Sequence, residues 1–266
     1  MNIACFSVAA MDGFPQVNEQ HAGGNALNQS IRFRQLGHRT AFLGAIGTDP
    51  AGDRLAGLLA AEGVDCTHLR RPEGKTACNL ILNDDTGERT GVEGAWQDGV
   101  YASFRMAPSD WTFLENFDIW STHADCPDYD EALRKRPSDK WMAVDFLHLL
   151  KPEVLERTLA PRTICYIGGT ADMADTLSRI AATKEGILVL TLGAEGSMAF
   201  QGRDQWCQPA LPVERVIDTT GCGDAFQAGF TTEYVKTGNV QAALLAGAGL
   251  GRIATQSRGG VPWKGI

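Results

Sequence analysis

The nine residues Asp218-Thr219-Thr220-Gly221-Cys222-Gly223-Asp224-Ala225-Phe226 place a glycine turn, a carboxylate and an apolar helix start in direct succession. Gly221 and Gly223 can take backbone angles barred to other residues. Successive N–H groups can therefore point into one cavity at a helix start, where negative charge is favoured. Asp224 stands at the edge of that cavity, within reach of the proton on an attacking hydroxyl. The combination points to phosphoryl transfer to an alcohol, a reaction carried by positioning and charge stabilisation. An aspartate in a first helical turn also interacts favourably with free amides, so Asp224 as cap stands beside Asp224 as base. Asp218 is better placed to order the turn or to reach a hydrated metal than to attack. Cys222 has no nearby histidine to activate it and reads as a small space-filler.

Two further glycine turns belong with the first. Thr191-Leu192-Gly193-Ala194-Glu195-Gly196 follows an apolar run, and Thr191 with nearby amides could meet a nucleotide phosphate, although a strand-to-hairpin turn needs glycine anyway. Gly23-Gly24-Asn25-Ala26-Leu27-Asn28 sets Asn25 and Asn28 three apart, on one helix side, where amides can read polyol hydroxyls. Asn25 can equally serve as an N-cap. Asp12 is the nearby carboxylate most able to orient a sugar hydroxyl, against the default of an exposed turn aspartate.

Other chemistries lack their residues. The chain has no GxxxxGK[ST] loop, no GxGxxG after its first strand and no GxSxG nucleophile turn. His123 and Cys126 alone are too few for a zinc site. Trp111 and Trp120 read as core support.

The elements that must position these turns alternate. Residues 3–8, 40–46, 117–121, 141–145, 164–167 and 187–191 are apolar strand candidates. Residues 26–36, 52–62 and 173–182 read as helices, with Gly63 stopping the second. Residues 76–82 and 88–92 break the rhythm, being strand candidates joined by a polar turn with no helix between. With residues 12–20 they form a small sheet projecting from the main domain, either an edge hairpin or a lid over the strand ends. Residues 197–200 and 205–208 read as a terminal hairpin. Residues 224–234 and 240–253 close the chain as helices, the last rich in alanine and glycine for tight packing or a flat ligand.

The 266 residues suffice for one large domain. The 32 acidic and 24 basic residues leave a net charge of -8, which disfavours a nucleic-acid surface but permits an anion pocket built of backbone amides. Seven cysteines, odd in number and without a CxxC pair, read as reduced thiols. The start MNIACFSVAA lacks a signal-peptide pattern and no run of about 18 apolar residues follows, so a soluble cytoplasmic protein away from membranes is expected.

GGNALN, the lid-like insertion, VLTLGAEGS and DTTGCGDAFQAGF together resemble the ribokinase-like, or PfkB-type, carbohydrate kinases over nearly the whole chain. DTTGCGD is close to that family's DTxGAGD signature, with Cys222 in place of the usual alanine. The resemblance implies an α/β three-layer sandwich spanning residues 1–266, with a predominantly parallel central sheet and a small β lid at about 12–20 and 74–100. It implies ATP with Mg2+ and transfer of the terminal phosphate to a primary alcohol. Asp224 inherits the role of base, and Gly221, Cys222 and Gly223 that of the anion hole. Thr191, Gly193 and Gly196, with Asp218 and Thr219, fall on the nucleotide side; Asp12, Gly24, Asn25 and Asn28 fall on the sugar side. Backbone oxygens of residues 257–260 would contribute to a monovalent-cation site, for an ion such as K+.

Within the family the chain looks most like fructoselysine 6-kinases and related fructosamine kinases, from its compact length, the spacing of Asp12 to GGNALN, and Asp145-Phe146. Arg32, Arg89, Arg105, Asp98 and Glu93 are candidates for the open end facing an amino-acid portion. Two departures stand out. Gly169-Thr170-Ala171-Asp172 replaces the common Asn-x-x-Glu, leaving Asp172 as the substitute magnesium-orienting carboxylate. Ser7-Val8-Ala9 lacks the aspartate common after the first strand. The alternatives are a fructokinase, ribokinase or nucleoside kinase with the same apparatus, or a sugar- or nucleotide-sensing protein that has lost efficient transfer. A lid face could form a homodimer surface.

Overall fold

The computed structural model describes residues 1–261. In chain order the elements begin β1 (Asn2–Phe6), β2 (Ala10–Phe14), β3 (Glu19–Gly23), α1 (Asn25–Gln35), β4 (Arg39–Ala45), α2 (Pro50–Ala61), β5 (Leu69–Arg70), β6 (Ala77–Asn83) and β7 (Arg89–Gly91). They continue with α3 (Pro108–Leu114), β8 (Ile119–His123), α4 (Tyr129–Lys135), β9 (Trp141–Asp145), α5 (Pro152–Thr158), β10 (Thr163–Gly168) and α6 (Ala174–Ala181). The chain then forms β11 (Ile187–Thr191), β12 (Ser197–Gln201), β13 (Asp204–Gln208), α7 (Cys222–Thr237) and α8 (Val240–Ala254).

The central strands are apolar on both faces because both faces are covered. Ile3, Cys5, Ile119, Ile164 and Val189 point to a layer formed by α1, α2, α7 and α8. Their chain neighbours Ala4, Phe6, Trp120, Cys165 and Leu188 point to the opposite layer, formed by α3 to α6. The sheet order is β13-β12-β11-β10-β9-β8-β1-β4-β5, parallel from β11 to β5 and antiparallel at the β12 and β13 edge. The result is an α/β three-layer sandwich with a mainly parallel sheet. Parallel strands bring all their carboxyl ends to one edge, where the loops gather.

A second sheet, in the order β3-β2-β6-β7, leaves the body directly after β1. Its β2 pairs antiparallel with β3 and parallel with β6. Ser7 makes the turn between the two sheets at φ 148, an angle seldom adopted outside glycine. Its amide still reaches Leu43 O at 3.1 Å.

The strands expected from sequence lie within a residue or two of those observed, and the polar segment 12–20 proves to be two full strands reaching from Ala10 to Gly23. Three helices carried no legible period. The elements α3, α4 and α5 are seven residues each, about two turns, too short for a 3.6-residue repeat to declare itself. Met173 belongs to a 3-10 turn over Ala171–Met173, with α6 beginning one residue later. Trp111 and Trp120 sit in the core with ring centroids 6.2 Å apart, and Trp120 Nε1 donates to Leu114 O at 2.8 Å. The small residues of the last two helices allow close packing. A Cβ on Gly229 would stand 2.8 Å from Ala246 O, and one on Gly247 would meet the Phe226 ring.

Candidate active site

The start of α7 is built from the glycine turn. Gly221 occupies the N-cap with φ 74, and no side chain caps the helix. First-turn N–H groups have no carbonyl behind them within the helix; of these, Cys222 N–H donates to Thr219 O at 3.2 Å, in the turn before it. A Cβ on Gly221 would lie 2.4 Å from Gly260 Cα, so glycine is required for the final segment to pass this close. Cys222 is half-buried, and burial pushes its thiol up to about 12, which keeps it a protonated filler.

Asp224 lies in the first turn of α7, where α1 reaches it. Asn28 Nδ2 donates to Asp224 Oδ2 at 2.7 Å, and Asn25 Nδ2 donates to Asp224 Oδ1 at 2.8 Å. The same Asn25 amide donates to Asp145 Oδ2 at 2.8 Å, and Leu147 N donates to Asp145 Oδ1 at 2.7 Å. Asn25 Oδ1 and Asn28 Oδ1 are buried acceptors without protein partners. Gly24 caps α1 at φ 94, and its missing Cβ would otherwise stand 2.7 Å from Val8 O. That close approach sets the start of α1 above the end of β1.

The acids crowd one another. Burial pushes the Asp224 carboxyl up to about 7; the Asn28 hydrogen bond opposes this, the Asp145 charge adds to it, and Arg89 and Arg32 oppose it. Burial also pushes Asp12 up to about 7, with Arg89 opposing and Asp218 adding. Asp145 is likewise raised, chiefly by burial. Asp224 and Asp145 feel each other directly and share the Asn25 amide, whereas the charges acting on Asp12 are those of Arg89 and Asp218. Asp12 lies on β2, 6% exposed, and its carboxylate packs over the bare Cα of Gly23.

Asp218 is fully buried and orders the turn, the first of the two roles its position suggested. Its Oδ1 accepts from Thr220 N at 3.0 Å, Thr220 Oγ1 at 2.8 Å and Asn83 Nδ2 at 2.7 Å, and its Oδ2 accepts from Gly259 N at 2.7 Å. Thr219 is engaged by the second sheet: its N–H donates to Gly87 O at 3.1 Å, and its hydroxyl accepts from Arg89 N at 2.9 Å and donates to Glu88 Oε1 at 3.1 Å. The β6–β7 turn thus rests directly on the turn that precedes α7.

Thr191 ends β11, with its Oγ1 donating to Ile167 O at 3.4 Å. Gly193 opens a 3-10 turn at φ 56, and Gly196 takes φ 108 where a Cβ would lie 2.2 Å from Gln208 O. Hairpin closure therefore accounts for the second glycine. Asp172 is exposed and accepts a hydrogen bond from Thr170 Oγ1. Among the described residues no cluster of three His, Cys, Asp or Glu could hold a metal. Lone carboxylates suit a hydrated ion carried on phosphate better than a protein-caged one. Of the basic residues at issue, Arg32 Nη2 donates to Gly260 O at 3.0 Å, while Arg105 turns back to Ala102 O and Phe104 O. Asp98 accepts from Trp96 Nε1, away from the acid cluster's hydrogen bonds, and Glu93 is exposed.

Three participants escaped the sequence reading. Asp145 was noted only as part of a dipeptide, although a carboxylate ending a buried strand is a signal in itself. Asn83 ends β6 in a stretch that reads as an ordinary polar turn. Ser7 Oγ lies 2.5 Å from His123 Nε2 and 2.6 Å from Tyr101 OH, a buried line of three groups far apart in sequence. No spacing rule joins them.

Residues 15–135 and 143–263 match the profile of the pfkB family carbohydrate kinases. A fructoselysine 6-kinase of Escherichia coli (strain K12) is 32% identical over 229 residues, covering 83% of this chain and 84% of that protein. A fructosamine kinase of Bacillus subtilis (strain 168) is 26% identical, over 80% of this chain and 76% of its own length. An adenosine kinase structure from Sinorhizobium meliloti shares the fold with a TM-score of 0.81 at 20% identity, across 98% of this chain and 95% of that one. Sequence profile, curated relative and fold agree over most of the chain, which belongs to the pfkB family and is an ATP-dependent carbohydrate kinase.

Proposed function

We propose that the protein transfers the terminal phosphate of ATP to O6 of fructoselysine or a related fructose-amino acid. The observation that carries the chemistry is the placing of Asp224 in the first turn of an uncapped helix, with both carboxylate oxygens oriented by Asn25 and Asn28. An acid raised to about 7 is partly ionised at neutral pH and basic enough to accept a hydroxyl proton as the new P–O bond forms. The Gly221 and Gly223 amides hold the negative charge of the group in transfer, the Cys222 N–H being engaged by Thr219 O at 3.2 Å. Asp12, Gly24, Asn25 and Asn28 bind the sugar side, the orphaned Asn25 and Asn28 oxygens accepting from its hydroxyls. Thr191, Gly193 and Gly196 lie toward the nucleotide, and the second sheet acts as the lid. Mg2+ bound with the nucleotide would screen phosphate charge, with Asp172 the nearest surviving carboxylate of the altered motif.

The substrate class rests on the 32% identity to fructoselysine 6-kinase over most of both chains. The test is ATP-dependent turnover on a panel of fructoselysine, fructose-asparagine, fructose, ribose and a nucleoside, with 31P-coupled NMR of the product. Preference for the amine-bearing sugars with phosphate on O6 is expected. Equal or better use of plain fructose, ribose or the nucleoside overturns the substrate assignment. Near-normal turnover by Asp224→Asn removes that residue from its role as base.

A further inference from the structure

Asp218 presents an electrostatic problem that its direct neighbours do not solve. A carboxylate with no exposed surface is costly unless paired, yet its four donors are two backbone amides, a hydroxyl and an amide side chain, none of them charged. None of the ion pairs among the described residues includes it. The nearest cation in the hydrogen-bond chain is one residue removed: Arg258 Nη1 donates to Asn83 Oδ1 at 3.1 Å, while Asn83 Nδ2 donates to Asp218 at 2.7 Å.

The Asn83 amide can face only this way. Its oxygen meets a guanidinium, and its nitrogen meets two acceptors, Asp218 Oδ1 and Gly87 O, the latter at 3.3 Å. A reciprocal pair with Gln16 fixes its backbone: Asn83 N donates to Gln16 Oε1 at 3.0 Å and Gln16 Nε2 donates to Asn83 O at 2.9 Å. Arg258 is fixed in turn, its Nε 3.4 Å from Glu19 Oε2 and its guanidinium 5.6 Å from the Phe14 ring centre. An amide with a cation on its oxygen and an anion on its N–H is polarised from both sides, and such chains strengthen cooperatively.

We propose that Asn83 is a positioning residue for phosphoryl transfer, relaying the charge of Arg258 to Asp218 and so holding the turn that presents Gly221 to Gly223. Asn83 belongs to the lid sheet, whereas Asp218 and Arg258 belong to the body, so the anion hole takes its working shape only with the lid docked. The proposal rests on the kinase reading of that turn. In the same segment Gly259 N–H donates to Asp218 and Gly260 O accepts from Arg32, so the residues after α8 are tied both to the turn and to α1.

The experiment compares wild type, Asn83→Ala, Arg258→Met, Arg258→Lys and the Asn83→Ala/Arg258→Met double variant. Each is followed by ATP-dependent kinetics on the best sugar found and by hydrogen exchange of the peptide covering residues 218–224. Misplacement of a transition-state group by about 1 Å costs about 100-fold in rate, so Asn83→Ala is expected to lose about 10- to 100-fold in kcat with KM within about 3-fold. Exchange in 218–224 speeds up in the same variant. Arg258→Lys retains most of the rate, and the double variant is no worse than Asn83→Ala alone, as for two members of one relay. The proposal is overturned by unchanged exchange at the turn in Asn83→Ala or by additive losses in the double variant. The exchange readout needs no substrate, so it separates failure of the relay from failure of the sugar assignment.

Discussion

Asn28 Nδ2 stands 2.7 Å from Asp224 Oδ2, joining the first helix of the body to the seventh across the carboxyl edge of the sheet. The bond favours the ionised carboxylate and so works against the burial that raises it. Because the base must be unprotonated, kcat/KM is expected to climb with pH through an apparent value near 7 and then level. Removing the donor in Asn28→Leu raises the Asp224 value further, so the acid limb shifts to higher pH. A pH-rate profile checks both statements, and an unmoved limb in the variant contradicts the second.

Asp12 carries the opposite consequence for stability. Its folded value, about 7 against an ordinary 3.8, means that the native state binds the proton more tightly than the unfolded chain does. Its contribution to stability is therefore full below about pH 4 and is lost as pH rises through about 7. Asp12→Asn removes that loss, and the ligand-free variant should gain a few degrees in melting temperature over wild type at pH 8 and little at pH 4. Thermal denaturation at the two pH values measures the difference. His123, pushed down to about 4 by burial, titrates the other way in both proteins and cancels in the comparison.

The two glycines flanking Cys222 should answer differently to alanine. Gly221→Ala forces φ 74 on a side chain and drives its Cβ to 2.4 Å from Gly260 Cα. Strain of about 1–3 kcal/mol is expected in the melting curve, together with a kcat loss of about 100-fold or more. A Cβ on Gly223 meets nothing within 4 Å, so Gly223→Ala should melt no lower than wild type. A large drop in its melting temperature would contradict the packing described.

Tyr101 OH, Ser7 Oγ and His123 Nε2 form a buried line joined at the serine hydroxyl. Burial keeps the imidazole neutral, and its Nδ1 has no protein partner. Tyr101→Phe removes one end of the line and should cost about 1 kcal/mol in denaturant unfolding. Ser7→Ala strands both neighbours and should cost more. Equal, negligible losses would dissolve the line.

Legibility in the sequence tracked distance along the chain. Strands such as Ile187–Thr191 carry their own apolar signature, and the DTTGCGD turn carries its own glycines, so both could be read locally. The Asn25 and Asn28 pair was also visible, but as readers of sugar hydroxyls, because nothing local foretells that their amide nitrogens point at an aspartate in another helix. Asp145, Asn83 and the Ser7 to His123 contact depend on sheet register and on how the lid lies against the body. Such pairings are fixed by tertiary packing, which overrides any pattern within a ten-residue window.

Gly260 passes between Gly221 and Asn28 with no room for a side chain, and Arg258 and Gly259 tie the same segment to Asn83 and Asp218. The first helix of the body and the glycine turn are therefore clamped by a segment that follows α8 and belongs to neither. A side chain at Gly260 would push the two apart while leaving the strands of the central sheet untouched.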